Sequence, residues 1–364
     1  MKEDKEKLIV ISGGGTGGPS TAPLALASAY SVLNPKAHFL FIGNDQELEK
    51  KLFDEALKML GADYISLPAG KWRRYFSIKN FIDFFRIISA FFRVSIIFYR
   101  RRPDLIISAG SFASVPVVWA GRLMGAKILI HQQDIRPGLA NRLMAPVAHK
   151  LTVTFEKSLK DYGDRAVLIG NPSEVGKLTE EQRSNAAANY RVGSHPFIFI
   201  TGGASGALGL NRLVYSALPY LPADWDIIHL SGRGKGLDAP NRPNYRVVEN
   251  LAHDDFSALL SLADIVITRS GLGVLTELSL AAKPTVLVPM PNSHQEDNAE
   301  YFKSRAAALV LNEKESNGED FAEIIVDLYK HEGQRMKLSA NIAMMMPPDA
   351  AVKGAKIVKE MLAK

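Results

Sequence analysis

Two glycine-rich turns, one in each half of the chain, constrain this fold more than any other feature. Gly13-Gly14-Gly15-Thr16-Gly17-Gly18 follows the apolar run Leu8-Ile9-Val10-Ile11. Gly202-Gly203-Ala204-Ser205-Gly206 follows Phe197-Ile198-Phe199-Ile200. A helix-like stretch comes after each. Strand, glycine turn and helix in that order leave bare backbone N–H groups at a helix N-terminus, where they bind phosphate. A chain that does this twice is expected to form two nucleotide-type domains facing each other, with one phosphate-bearing ligand in each.

Strand-like and helix-like runs alternate throughout. In the first half the strands fall near Leu8–Ile11, His38–Ile42, Tyr64–Leu67, Leu105–Ile107, Lys127–His131 and Leu151–Thr154. The pattern breaks at Gly170-Asn171-Pro172-Ser173 and a polar helix-like stretch, Thr179–Tyr190, follows. It restarts at Phe197–Ile200, then Trp225–Leu230, Tyr245–Val248, Ile265–Thr268, Thr285–Val288 and Ala308–Leu311. This βαβ rhythm predicts α/β architecture with parallel sheets covered on both faces. The predicted domains are residues 1–172 and 173–345. Residues 346–364, set off by Pro347-Pro348, form a C-terminal helix returning toward the first domain.

The formal net charge of +6 matters because of where it sits. From Lys71 to Arg102 nine basic residues face one acid, Asp83, among many aromatics. Ile78, Ile82, Phe85, Ile88 and Phe92 recur at helical spacing, with Ile96 beyond. Arg86 and Arg93 interrupt that run, which makes it a poor transmembrane span. Two readings stay open: a core helix with solvated arginines, or a helix lying on an anionic membrane surface. The candidate membrane residues are Trp72, Arg73, Arg74, Tyr75, Phe76, Phe84 and Phe85. Nucleic acid is not an expected partner, since the aromatics sit at core spacing and no RNA- or DNA-binding signature is present. Without cysteine there is no disulfide framework and no thiolate zinc site. The charged start Met1–Lys7 is not a signal peptide.

The second half carries the sharper chemistry. Thr268-Arg269-Ser270-Gly271-Leu272-Gly273-Val274-Leu275-Thr276-Glu277 follows a strand, at the sheet edge where ligands bind in open α/β folds. Glu277 is expected near the start of the next helix. There it either accepts hydrogen bonds from a ribose diol or serves as an N-terminal acid favoured by the helix macrodipole. The strand Thr285–Val288 leads into Pro289-Met290-Pro291-Asn292-Ser293-His294-Gln295-Glu296-Asp297-Asn298. His294 and Gln295 either contact sugar hydroxyls or follow a helix cap at Asn292 or Ser293.

Together these motifs resemble the MurG family, glycosyltransferases that add N-acetylglucosamine to the lipid-linked muramyl peptide of peptidoglycan. The resemblance rests on both glycine turns, Ser108-Ala109-Gly110-Ser111-Phe112-Ala113-Ser114, His131-Gln132-Gln133-Asp134, Gly170-Asn171-Pro172, Ser231-Gly232, Thr268–Glu277 and His294-Gln295 through Asn298-Ala299, in the family's order. It covers nearly the whole chain. It implies a GT-B fold of two facing Rossmann-like domains and inverting transfer from UDP-N-acetylglucosamine to an undecaprenyl-diphosphate-linked N-acetylmuramyl pentapeptide. By similarity the donor is held by Ser205, Gly206, His253, Phe256, Arg269, Gly271, Leu272, Gly273, Glu277, His294 and Gln295. The acceptor diphosphate is held by Gly14, Gly15, Thr16, Gly17, Gly18, Gly110, Ser111 and Ser114. The family works without a required cofactor or an essential metal on an acidic pair, as a peripheral protein on the cytoplasmic face of the cell membrane.

The chain departs from the family pattern at several positions. Pro19 replaces a histidine that commonly follows the first glycine turn. The usual His-Glu-Gln-Asn run reads His131-Gln132-Gln133-Asp134, which moves a carboxylate by two positions. Ser173-Glu174 follows Asn171-Pro172 where an arginine is usual, and Ala204-Ser205 replaces Ser-Gln. Asp134 is the candidate base or donor-sugar contact; its alternative is an N-cap for a helix near Arg136-Pro137. Three other functions remain in view: a UDP-sugar lipid glycosyltransferase with another acceptor, a catalytically weak nucleotide-sugar-binding homologue, and an NAD-dependent dehydrogenase. Against the last, no acid ends the second strand in the expected ribose position.

Overall fold

The computed structural model describes residues 6–14, 18–44, 54, 56–67, 78–173, 178–203, 206–236 and 238–363. The chain divides into two compact units, Met1–Glu174 with Pro347–Lys364, and Val175–Met346. Each is built on one parallel sheet.

The first unit holds seven strands: β1 Leu8–Ser12, β2 His38–Asn44, β3 Asp63–Leu67, β4 Leu105–Ser108, β5 Lys127–Gln132, β6 Lys150–Val153 and β7 Ala166–Leu168. Their spatial order is β3-β2-β1-β4-β5-β6-β7. Its helices are α1 Gly18–Leu33, α2 Ile78–Arg101, α3 Ser114–Leu123, α4 Leu139–Met144 and the chain-terminal α12 Ala350–Ala363. Side chains alternate across the sheet. Ile9 and Ile11 of β1 join the core under α1 and α12, with Leu24, Leu26, Ala355 and Val358. Val10 joins the opposite core, with Val94, Phe98, Val117 and Val118 of α2 and α3. The C-terminal helix therefore packs on α1, as expected from the sequence. A Cβ on Gly354 would collide with Leu26, and Lys127 Nζ donates to the Met361 carbonyl.

The second unit holds α5 Glu180–Asn189, β8 Phe197–Thr201, α6 Leu208–Ala217, β9 Asp226–Leu230, β10 Tyr245–Val248, α7 His253–Leu262, β11 Ile265–Thr268, α8 Leu272–Ala281, β12 Thr285–Leu287, α9 His294–Lys303, β13 Leu309–Val310, α10 Gly318–Lys330 and α11 Glu332–Ala343. The strand order is β10-β9-β8-β11-β12-β13. Ile198, Ile200, Ile227, Ile265, Ile267 and Val286 meet Leu210, Leu213, Phe321 and Ile325 in one core.

Three features were not settled by the sequence. β7 has no counterpart in the sequence reading; it is a short, half-exposed edge strand. Ahead of the prolines, α10 and α11 are separate helices that meet at His331. The apolar stripe of α2 is not core: Phe85, Phe92, Ile96 and Tyr99 are 55–71% exposed and Ile88 is exposed with them. Ala90, Val94 and Phe98 form the buried face instead. Arg86, Arg93 and Arg100 are exposed, each one residue after Phe85, Phe92 or Tyr99. Trp72, Arg73, Arg74, Tyr75 and Phe76 lie outside the described residues. Among the described residues no helix is long and apolar enough to cross a membrane.

Candidate functional site

In an open α/β sheet the chain reverses its winding direction at one point, and ligands bind beyond the strand ends there. In the second unit that point lies between β8 and β11. Thr201 is in register with Thr268, so the turns after these strands leave the same edge side by side. One is the second glycine turn. Gly203 N–H donates to Thr201 Oγ1 at 3.0 Å, and Gly206 (φ +65°) donates to the Gly203 carbonyl at 2.9 Å. The other is Arg269-Ser270-Gly271, which opens α8 with Gly271 as its cap residue. Ser205 falls outside the described residues.

Glu277 does not sit near the start of that helix. It is the sixth residue of α8, past the first turn in which the macrodipole favours an acid. Its side chain is half-buried, and Ser257 of α7 donates to its Oε2 at 3.5 Å. Burial disfavours the carboxylate and pushes its pKa up to about 7, against the opposing Ser257 hydrogen bond. An acid held this way is unexplained by helix capping.

The loop that follows β12 is stitched to this edge. Val288 N–H continues the ladder to the Thr268 carbonyl at 2.8 Å. Ser270 Oγ donates to the Gln295 carbonyl at 2.7 Å, and Asn298 Nδ2 donates to the Ser270 carbonyl at 3.2 Å. Met290 N–H donates to Gln295 Oε1 at 3.0 Å, which closes the loop and leaves the Gln295 amide nitrogen for other partners. Ser293 caps α9 through the Gln295 N–H, so the capping alternative holds for that residue. His294 follows it and is exposed. Arg269, expected to touch the donor, is buried. Its guanidinium donates to the Val288 and Pro289 carbonyls at 2.9 and 3.0 Å and is ion-paired with Glu313. It fastens the loop. Leu272 is buried, whereas Gly273 is exposed.

Beside β8, Phe256 of α7 packs edge-on against Phe199, ring centroids 5.4 Å apart. Its own N–H is committed to the Ala252 carbonyl at 2.9 Å. The N–H groups of His253, Asp254 and Asp255 have no intrahelical acceptor and remain the donors of that turn.

The first unit repeats the arrangement between β1 and β4, where Ser12 is in register with Ser108. A Cβ on Gly14 (φ +150°) would lie 2.9 Å from Ser111 Oγ, so the first glycine turn and the Gly110–Ser114 turn are in contact. Ser12 Oγ donates to Ser114 Oγ at 3.1 Å. Gly110 (φ +127°) and Ser111 (φ +79°) take up left-handed backbone, which costs about 1–3 kcal/mol at a non-glycine residue. Gly15, Thr16 and Gly17 lie outside the described residues; Gly18 begins α1.

At the end of β5, both nitrogens of buried His131 face hydroxyls, Thr152 Oγ1 at 3.0 Å and Thr154 Oγ1 at 3.2 Å. Burial lowers its pKa to about 3, so it is neutral at physiological pH. Gln132 Nε2 donates to the carbonyls of Asp134 (3.1 Å) and Ile135 (3.2 Å) and to Asp161, while its Oε1 accepts from the Tyr162 hydroxyl. That clamp fixes the main chain at Asp134. The N-cap alternative for Asp134 is overturned: α4 starts at Leu139, capped by Gly138.

Asp224 and Asp226 stand at Asp-x-Asp spacing, which the sequence reading passed over. Asp226 opens β9 at the strand's N-terminal end, away from the ligand edge, buried and accepting from Gly193 N–H at 3.0 Å. Among the described residues no cluster of three metal-ligating side chains occurs.

Comparison with known proteins follows the same division. Residues 9–153 match the glycosyltransferase family 28 N-terminal domain, and 197–355 match its C-terminal domain. The UDP-N-acetylglucosamine--N-acetylmuramyl-(pentapeptide) pyrophosphoryl-undecaprenol N-acetylglucosamine transferase of Clostridium botulinum (strain Kyoto / Type A2) is 32% identical over 332 residues. The match covers 89% of this chain and 92% of the relative. That of Lachnospira eligens is 33% identical over 329 residues, 89% and 91% of the two chains. The crystal structure of Acinetobacter baumannii MurG superposes with a TM-score of 0.76 at 22% identity, over 97% of this chain and 99% of that one. A UDP-GlcNAc 2-epimerase from Neisseria meningitidis bound to UDP-GlcNAc reaches 0.70 at 12% identity, over 98% and 99%. The architecture is thus GT-B-like, and it is shared beyond transferases.

Proposed function

The chain belongs to glycosyltransferase family 28, and on that premise we propose that it moves N-acetylglucosamine from UDP-N-acetylglucosamine to undecaprenyl-diphosphate-linked N-acetylmuramyl pentapeptide. It is an N-acetylglucosaminyltransferase of peptidoglycan synthesis. Glu277 carries the reading within the donor unit. It is an acid one and a half turns into α8, half-buried, and its placement makes sense as the acceptor of a ribose diol. His294 and the free amide nitrogen of Gln295 meet the sugar. The N–H groups of the α7 first turn meet the uracil. The turns at Gly206 and at Gly271–Gly273 meet the diphosphate, where backbone dipoles stabilise the charge developing on leaving UDP.

The first unit holds the acceptor. Its paired turns around Gly14 and Gly110–Ser114 cradle a diphosphate with backbone and hydroxyl donors. The acceptor hydroxyl attacks the anomeric carbon, the bond to UDP breaks, configuration inverts, and the proton passes to a base. Asp134 is the proposed base. The Gln132 clamp supports it by fixing the loop, and helix capping no longer accounts for it.

The exposed stripe Phe85–Ile88–Phe92–Ile96–Tyr99, flanked by Arg86, Arg93 and Arg100, is proposed to lie in an anionic bilayer surface on the cytoplasmic side. The deciding assay supplies radiolabelled UDP-N-acetylglucosamine with a lipid-linked muramyl peptide, or with diacylglycerol in its place. Label in the first product alone is expected; label in glycosylated diacylglycerol, or in neither, overturns the reading. For the membrane stripe, a Phe92→Ser/Ile96→Ser variant is expected to bind phosphatidylglycerol vesicles about tenfold or more weakly. Unchanged sedimentation would remove that assignment.

A further inference from the structure

We propose that a buried relay, Tyr245–His229–Asn211, holds the turn at Ser231–Lys235 against the second glycine turn and so sets the geometry of the donor's diphosphate cradle. The inference rests on the donor-site reading above and names Asn211 as a positioning residue, with no contact to substrate of its own.

The hydrogen-bond pattern admits one assignment. Asn211 lies in the first turns of α6, the helix that opens at the glycine turn, and is 1% exposed. Its amide faces two main-chain carbonyls, Ser231 O and Lys235 O, both at 3.1 Å. Carbonyls only accept, so the NH2 group points to them and Oδ1 points to His229 Nε2 at 3.1 Å. Nε2 must then carry the proton, and Nδ1 must accept from the Tyr245 hydroxyl at 2.7 Å. Burial lowers the His229 pKa to about 4 and keeps the ring neutral, as the relay needs. All three residues are buried, and His229 and Tyr245 belong to adjacent strands. The rigid edge of the sheet thereby dictates where the Asn211 amide points.

The amide's grip matters because of what the held turn touches. A Cβ on Gly206 would collide with the Ser231 carbonyl, so the two turns meet main chain to main chain. Lys235 Nζ also donates to the Gly206 carbonyl at 3.1 Å. Release of Ser231 and Lys235 removes the wall behind Gly206, whose left-handed φ shapes the entry to α6. The N–H groups at that entry are those a diphosphate would use.

Calorimetric titration of the full chain with UDP and with uridine tests this, using Asn211→Asp, Asn211→Ala and Tyr245→Phe. Asn211→Asp keeps the shape but turns a carboxylate toward two carbonyls. A folded Asn211 variant is expected to lose about tenfold in UDP affinity while uridine affinity stays within about twofold. Tyr245→Phe, the mildest change, should shift the same ratio by a smaller factor and serves if the Asn211 variants do not fold. An unchanged UDP-to-uridine ratio, or equal loss of both ligands, overturns the relay. Nitrogen chemical shifts placing the His229 proton on Nδ1 would also overturn it. Wild-type protein that fails to prefer UDP over uridine would instead defeat the donor-site reading, and the relay with it.

Discussion

The two sheets reverse their winding in the same way, between β1 and β4 in one unit and between β8 and β11 in the other, yet they furnish that edge differently. Around the first, the described side chains are small and neutral: Ser12, Ser108, Ser111 and Ser114, beside Gly14 and Gly110. Around the second stand an acid, Glu277, and a buried arginine paired with Glu313. One topology therefore gives two kinds of recognition. Backbone dipoles and hydroxyls suit an anion and little else, whereas a half-buried carboxylate selects a ligand with paired hydroxyl donors. The contrast supports the proposal of a plain diphosphate for the first unit and a nucleotide for the second.

The largest expected effect tests the charged side of that contrast. Glu277→Gln should weaken UDP-N-acetylglucosamine binding by roughly 30- to 1,000-fold, since two hydrogen bonds to a charged acceptor are worth about 2–4 kcal/mol together. Binding measured by calorimetry within threefold of wild type would show that the carboxylate is structural, and the contrast would lose its meaning.

How far this asymmetry was legible depends on the physics of each part. Strands buried on both faces read as continuous apolar runs, so nearly every β-strand was evident in the sequence, while Ala166–Leu168 at an edge was not. The α2 stripe was left between two readings because spacing shows which residues share a face, not what the face meets. The buried face turned out to be the less conspicuous set Ala90, Val94 and Phe98. Glu277 was found, but its depth in the helix was not, since the turn Arg269-Ser270-Gly271 delays the helix start to Leu272. Partners such as Ser257, Glu313 and Asn211 were illegible for a different reason. Each acts through a residue far along the chain, and no local pattern marks such pairs.

On the neutral side of the contrast the expected effect is smaller. Gly14→Ala puts a methyl group about 2.9 Å from Ser111 Oγ in backbone that L-residues avoid. The two turns must separate, so KM for the lipid-linked acceptor should rise on the order of tenfold. UDP-N-acetylglucosamine affinity should not change. A variant whose donor affinity falls in step would show that the two edges are not independent sites.

The smallest effect sharpens the contrast through pH. Glu277 titrates near 7 in the folded chain, above its unfolded value of 4.5. The unfolded chain thus ionises first, and this group subtracts stability progressively as pH rises from 4.5 to about 7, with no further change above. A ribose diol donates to the ionised form, so donor binding favours loss of the proton and reverses that preference. Affinity for UDP-N-acetylglucosamine, whose diphosphate diester has no ionisation of its own in this range, should therefore increase from pH 6 to pH 8. The gain is bounded at about tenfold for a single proton per pH unit. Proton release, measured by calorimetry in buffers of different ionisation enthalpy, should accompany binding near pH 7. Glu277→Gln should abolish both the slope and the release. A slope that survives in the variant would place the titrating group elsewhere; the serines and glycines between β1 and β4 cannot supply one between pH 6 and 8.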